Sequence, residues 1–268
     1  MLDYKCLALY ISVMIILLSL PAVASDTPYE LSPVKEATLL GIGTAINITN
    51  YFIADYQSTL TQDDINSLSH NDVNWFDRSA TYNWSSRYDT MSNVTVGVAF
   101  FMPLSLLFYE SIRSDIFTIS VLYIETWMLA NGIKDCLKSL TGRPRPYVYN
   151  EDVDDNVKLT RDAIRSFPSG HTTTAFFSTV FFATVFSDYY PQSQWKLPVW
   201  IASIGLATAT GFFRYKAGKH YPTDIITGAV IGSAAGYGVP YIHRNTRCSV
   251  AIVPVSGSFG IVLMKEFD

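Results

Sequence analysis

Residues 225–242 read IITGAVIGSAAGYGVPYI: eighteen positions without a charge, with Gly228, Gly232 and Gly236 recurring every four residues. Four-residue spacing repeats along one face of an α-helix, so the glycines predict a helix that a neighbour approaches to backbone distance. Its length lies near the lower limit for crossing a bilayer core, about 17 to 20 residues. The stretch predicts a bundle of closely packed apolar helices.

Working outward, five more stretches share this character: 37–54, 90–109, 116–133 (interrupted by Glu125), 172–187 and 197–213. The 268-residue chain is 49% hydrophobic and 16% charged, against about 25% charged in soluble domains. The expected fold is all-α: a bundle of five core helices within 90–242, spanning a membrane. Buried helices of a soluble all-α protein are the alternative for the shorter stretches. A formal net charge of −4 supplies no basic field, which sets nucleic-acid binding aside. Cys6, Cys136 and Cys248 have no metal-ligand spacing and read as small unpaired hydrophobes.

Residues 1–25 read as a signal peptide or signal anchor: Lys5, an apolar run Cys6–Leu20, and Ala22-Val23-Ala24 before Ser25. Residues 26–89 form a partly polar outer segment, in which 55–89 carries Asp55, Asp63, Asp64, Asp72, Asp77 and Asp89 against Arg78 and Arg87. Such a loop is a poor cytoplasmic one under the positive-inside rule. If 37–54 does not cross, two crossings precede Lys138 and the chemistry-bearing loops all fall outside. Residues 243–268 form a tail whose β-prone runs Val250–Val255 and Phe259–Met264 flank Ser256-Gly257-Ser258, a hairpin pattern. Glu125, ionisable within an apolar stretch, is a functional suspect by default; an interior hydrogen bond to a neighbouring helix is the plain alternative.

Three clusters carry the chemistry. Pro168-Ser169-Gly170-His171 precedes an apolar run, so it sits at a helix N-terminus, where free backbone N–H groups collect and Gly170 admits close approach of an anion. His220 and Asp224 are four apart, a spacing at which a carboxylate can hold one ring nitrogen protonated and leave the other free. Lys138, Arg143 and Arg145 follow the third stretch, with Pro144 and Pro146 holding an extended turn. Guanidinium groups bind phosphate in a fork and lysine acts as a point charge, so Lys138, Arg145 and Arg214 can surround a phosphoryl group. The acidic loop Glu151, Asp152, Asp154 and Asp155 lacks calcium-loop spacing and reads as a solvated loop.

In this order the clusters resemble the type 2 phosphatidic acid phosphatase superfamily, which includes bacterial class A acid phosphatases and vanadium haloperoxidases. That pattern is Lys, six residues, Arg-Pro; Pro-Ser-Gly-His; then Ser-Arg, five residues, His, three residues, Asp. Each element is present except the serine before Arg214, where Phe213 stands. The resemblance implies His220 as nucleophile, Asp224 as its support, and His171 as general acid and then base. It implies Lys138, Arg145, Arg214, Ser169 and the Gly170 amide as phosphate holders. A bell-shaped pH–rate profile follows if His220 starts neutral and His171 charged.

The expected activity is hydrolysis of a lipid or polyprenyl phosphomonoester or pyrophosphate through a phosphohistidine, with no cofactor and no metal. The membrane is the expected partner surface and a bacterial inner membrane with a periplasm-facing site the expected location. A soluble periplasmic acid phosphatase, a haloperoxidase and a non-catalytic phospholipid-binding or transport protein are the rivals. Oligomeric state is not written in the sequence.

Overall fold

The computed structural model describes residues 27–54, 58–245, 248–255 and 258–265; the expected signal or anchor lies outside them. Among the described residues six long helices form the bundle: α1 (Pro33–Ala54), α2 (Ser86–Phe101), α3 (Ile116–Thr141), α4 (Gly170–Tyr189), α5 (Lys196–Lys216) and α6 (Pro222–His243). Their ends follow local chemistry. Pro33 and Pro222 open α1 and α6, where a missing N–H goes unnoticed. Ser169 Oγ caps α4 by accepting from the Thr172 amide. At the other end of α3, the Gly142 amide donates to Lys138 O at 3.3 Å and closes the helix.

α4 is the axis, and α2, α3, α5 and α6 pack around it. Phe177, Phe181, Val185 and Phe186 of α4 are buried. The surrounding helices turn large apolar side chains outward instead: Val94, Val98 and Phe101 on α2, Leu197, Ile201 and Phe212 on α5, Ile226 and Val230 on α6. Four segments, Ser86–Phe108, Ile116–Tyr149, Lys196–Lys216 and Pro222–His243, are long and apolar enough to cross a membrane. The bundle is therefore a membrane-type one, with four such segments sheathing a fifth helix.

The glycine stripe forms the α4–α6 seam. A Cβ built on Gly228, Gly232 or Gly236 would lie 2.7, 2.5 or 2.6 Å from the carbonyl oxygens of Ser169, Thr173 and Phe177 respectively. The three glycines thus track three successive turns of α4, as the spacing predicts.

The outer segment 26–89 does not behave as one unit. α1 lies along α3, where Asn47 Nδ2 donates to Met128 O at 3.1 Å and Asn50 Oδ1 accepts from Ser139 Oγ at 2.6 Å. Residues 58–85 instead fold over the N-terminal end of α6 through the short helices Gln62–Ser67, His70–Asp72 and Arg78–Tyr82. Asp77 anchors that cap, accepting from the Thr223 amide (3.0 Å), Thr223 Oγ1 (2.7 Å) and Arg143 Nη2 (2.8 Å). Gly218 marks a second anchor: at φ 70° it presses so close to the Asn83 carbonyl that a Cβ would overlap it. Strands Cys248–Val255 and Ser258–Lys265 pair antiparallel, with Val255 opposite Ser258.

Candidate active site

The three clusters meet at one end of the bundle, where α3 ends, α4 begins, α5 ends and α6 begins. A cavity of about 520 Å³ opens there, lined by Lys134, Lys138, Asp162, Arg165, Gly170 and His171, among others. Both lysine stems run past Gly170, whose built Cβ would lie 3.5 Å from Lys134 Cδ and 3.8 Å from Lys138 Cε. His220 and Arg145 do not line the cavity; they sit behind Asp162. Arg145 Nη2 donates to Asp162 Oδ1 at 2.6 Å while its Nη1 lies 3.3 Å from His220 Nε2.

This arrangement fixes the tautomer of His220. Its Nδ1 lies 2.7 Å from the Ser166 carbonyl oxygen, which only accepts, so Nδ1 carries the proton. Arg145 only donates, so Nε2 presents its lone pair. His220 is 1% exposed. Burial first, then Arg145, Lys138 and Arg214, pushes its imidazole well below the ordinary value, and it is neutral.

Asp224 stands one step further back than the four-residue spacing suggests. Its Oδ2 lies 3.5 Å from His220 Nδ1 but accepts from Ser166 Oγ at 2.6 Å and from the Tyr221 amide at 2.9 Å. Its Oδ1 accepts from Arg143 Nη1 at 2.7 Å. Asp224 therefore holds the Ser166 segment whose carbonyl orients the histidine. Its position in the first turn of α6 ties it to its own helix terminus, which the spacing alone does not reveal. Arg143, grouped by sequence with the cations, is a strut: it joins Asp224 to Asp77 and lies 3.9 Å over the Tyr221 ring.

Ser169 forms the cap of α4. It is buried, its Oγ accepts from Thr172 Oγ1 at 2.9 Å, and its amide donates to Asp224 O at 3.0 Å. Its hydroxyl oxygen caps α4, its amide closes the seam to α6, and the hydroxyl proton is left to donate.

His171 faces the cavity, with Nε2 2.7 Å from Asn93 Oδ1. Burial, then Arg214, Arg145, Lys138 and Lys134, pushes its pKa down to about 3. Without phosphate this histidine is neutral, whereas the sequence reading has it charged. Arg214 is held by Asp89 and donates to Ser92 Oγ at 3.3 Å. Lys138 Nζ donates to Arg165 O at 2.8 Å. Phe213, in place of the pattern's serine, stacks on Tyr88 with centroids 6.0 Å apart.

Sequence reasoning missed Asp77, Asp89, Asn93, Asp162 and Ser166. Asp89 and Asn93 carried a signal: they share one face of α2 at four-residue spacing. Ser166 acts mainly through its carbonyl, which has no side-chain signature. Glu125 lies away from this cavity, beside Glu36 and His243.

Residues 119–248 match the family model described as the PAP2 superfamily. The chain is 28% identical over 162 residues to a probable diacylglycerol pyrophosphate phosphatase 1 of Schizosaccharomyces pombe, covering 53% of this chain and 58% of that protein. It is 33% identical over 115 residues to a lipid A 1-phosphatase of Rhizobium etli, covering 41% of this chain and 44% of that protein. The chain thus spans about half the length of these curated relatives. It is also similar to the crystal structure of Aquifex aeolicus LpxE, at 25% identity and a TM-score of 0.41, over 60% of this chain and 90% of that one.

Proposed function

We propose, from the match of residues 119–248 to the PAP2 superfamily model, that the chain is a membrane phosphatase that removes a terminal phosphate from a lipid or polyprenyl phosphomonoester or diphosphate. The observation that carries this reading is the His220 Nε2 lone pair, held by Ser166 and surrounded by Lys138, Arg145 and Arg214. That is the environment an attacking imidazole requires.

In the proposed reaction Nε2 forms a bond to phosphorus as the bond to the leaving oxygen breaks, and His171 protonates that oxygen. Phosphate entry partly neutralises the cations around His171 and lets it take up the proton it then donates. Water next attacks the phosphohistidine, gives its proton to His171, and releases inorganic phosphate. Lys138, Arg145 and Arg214 stabilise the equatorial oxygens in both steps, as phosphoryl transfer mainly demands positioning and charge. Asp224 and Ser166 position His220, and Asn93 positions His171.

The outward apolar helices and the relatives named for lipid substrates support a lipid-borne phosphate. The acidic balance of 55–89, of which 58–85 folds over the N-terminal end of α6, supports a periplasm-facing orientation. The test is phosphate release, with brief chelator exposure, from phosphatidate, phosphatidylglycerol phosphate, polyprenyl pyrophosphate, lipid A and a soluble aryl phosphate. Wild type turns over at least one lipid phosphate and, quenched during turnover, carries acid-labile phosphoprotein; His220→Ala does neither. Equal release by wild type and His220→Ala refutes the mechanism. Release of the protein by alkaline carbonate favours the soluble phosphatase instead.

A further inference from the structure

Toward the other end of the bundle lies a second group of ionisable side chains that the phosphate chemistry does not use. Glu36 comes from the first turn of α1, Glu125 from the middle of α3 and His243 from the last turn of α6. Glu125 precedes Lys138 by thirteen residues on one helix, which is about 20 Å at 1.5 Å per residue. All three are buried, Glu125 and His243 completely.

One ring nitrogen and two carboxyl groups face one point. His243 Nδ1 lies 2.8 Å from the Val239 carbonyl oxygen, so Nδ1 carries a proton and Nε2 is the ring atom turned toward the carboxyl groups. That Nε2 lies 2.9 Å from Glu36 Oε2 and 3.4 Å from Glu125 Oε2. Glu36 is oriented from behind, since its Oε1 accepts from the Ser32 amide at 2.7 Å. Neither oxygen of the buried Glu125 receives a hydrogen bond from any described residue. Two carboxyl groups and an imidazole nitrogen meeting in a buried space need either protons or a cation between them.

We propose that Glu36, Glu125 and His243 bind one divalent transition-metal ion, Zn²⁺ being the best match, as a structural clamp joining α1, α3 and α6. Imidazole and carboxylate are the borderline ligands that such ions favour. Bonds of 2.0 to 2.2 Å in a tetrahedron set ligand atoms about 3.3 Å apart, and the 2.9 and 3.4 Å separations bracket that figure. A histidine whose Nδ1–H is fixed by a carbonyl, with Nε2 turned to the site, has the usual outer support of a metal ligand. The second oxygen of Glu125 or a water completes the set. The clamp explains why an ionisable residue stands in the middle of α3, and it takes no part in the phosphate chemistry.

The test uses the full chain, purified in non-ionic detergent without a polyhistidine tag, with metal content measured by mass spectrometry. Wild type carries about one Zn²⁺ per chain, either as purified or after Zn²⁺ addition and desalting. Glu125→Gln and His243→Gln carry at least tenfold less. Prolonged chelation lowers the Tm of wild type, Zn²⁺ restores it, and neither treatment moves the Tm of Glu125→Gln. Wild type that stays metal-free after Zn²⁺ addition, with Glu125→Gln as stable or more so, overturns the proposal and leaves a cluster bridged by protons. If Glu125→Gln does not fold, the wild-type chelation and add-back arm decides alone.

Discussion

Replacing the seam glycines one at a time separates the packing role of α6 from its role in the site. In Gly232→Ala the new Cβ meets Thr173 O at 2.5 Å, Phe176 Cβ at 2.8 Å and Phe177 N at 2.9 Å. Two of these are backbone atoms that no rotamer change can move, so α4 and α6 must part by most of an ångström. A gap of that size forfeits about a quarter to a half of each dispersion contact along the seam. Overpacking of this kind costs about 1 to 3 kcal/mol, set against about 1 kcal/mol gained in helix propensity. Gly228→Ala and Gly236→Ala meet the Ser169 and Phe177 carbonyls at 2.7 and 2.6 Å and carry a similar penalty. Gly238, on the same helix with nothing within 4 Å, is the control, and Gly238→Ala should be neutral or stabilising by up to about 1 kcal/mol. Activity should grade differently. Gly228, Gly232 and Gly236 lie four, eight and twelve residues beyond Asp224, about 6, 12 and 18 Å along the helix. The Ser169 amide bond to Asp224 O crosses the seam nearest Gly228. Turnover should therefore fall most in Gly228→Ala and least in Gly236→Ala, while Tm falls alike in all three. Tm by intrinsic fluorescence and initial rates at saturating substrate read the two scales. Equal Tm for Gly232→Ala and Gly238→Ala refutes the packing argument, and equal turnover in the three seam variants refutes the graded coupling to the site.

Sulfate, a dianion across the neutral range, should inhibit more tightly as pH falls. His171 sits near 3 in the empty site; an anion that raises that value makes the complex hold the extra proton, so affinity drops by up to about tenfold per pH unit as pH rises between the free and bound values. A sulfate Ki that is flat from pH 5 to 8 contradicts this. Asp77→Ala strips acceptors from Arg143, Thr223 and Asn74; since Arg143 is partly exposed and keeps Asp224, the loss should be about 2 kcal/mol, with faster proteolysis within 58–85, and unchanged protease resistance would discount the anchor. Phe213→Ser removes the stack on Tyr88 and should lower stability by about 1 kcal/mol while leaving kcat/KM within a few-fold, because Asp89 and Ser92 already hold Arg214; a rise above tenfold would show that the missing hydroxyl matters.

The bundle was legible because its helices are written twice, in apolar length and in the glycine stripe. The positions of Lys138, His171, Arg214 and His220 around one end followed from their places at helix termini. What the sequence did not disclose were contacts made by backbone atoms and by residues distant in the chain. The carbonyl of Ser166 looks like any other carbonyl, and Asp77 lies 146 residues from its partner Thr223. The division of 26–89 was hidden for the same reason: α1 and the cap are separated by what each packs against, not by a change in composition. Asp224 was placed in the right cluster but too near the histidine, because helical spacing brings two residues to one face without saying which polar atoms claim the carboxylate.

Arg145 and Arg214 are already occupied, by Asp162 and Asp89, and Asp162 stands between the cavity and His220 with its side chain 58% exposed. A bilayer surrounds such a site with phosphodiesters, each carrying a single negative charge, in vast excess over any terminal phosphate. A singly charged headgroup that displaces an aspartate swaps one unit of charge for another and strands the carboxylate. A doubly charged terminal phosphate gains on the exchange. If Arg145 and Arg214 hold the phosphate as proposed, the two aspartates compete with it for them and favour a doubly charged terminal phosphate over singly charged headgroups.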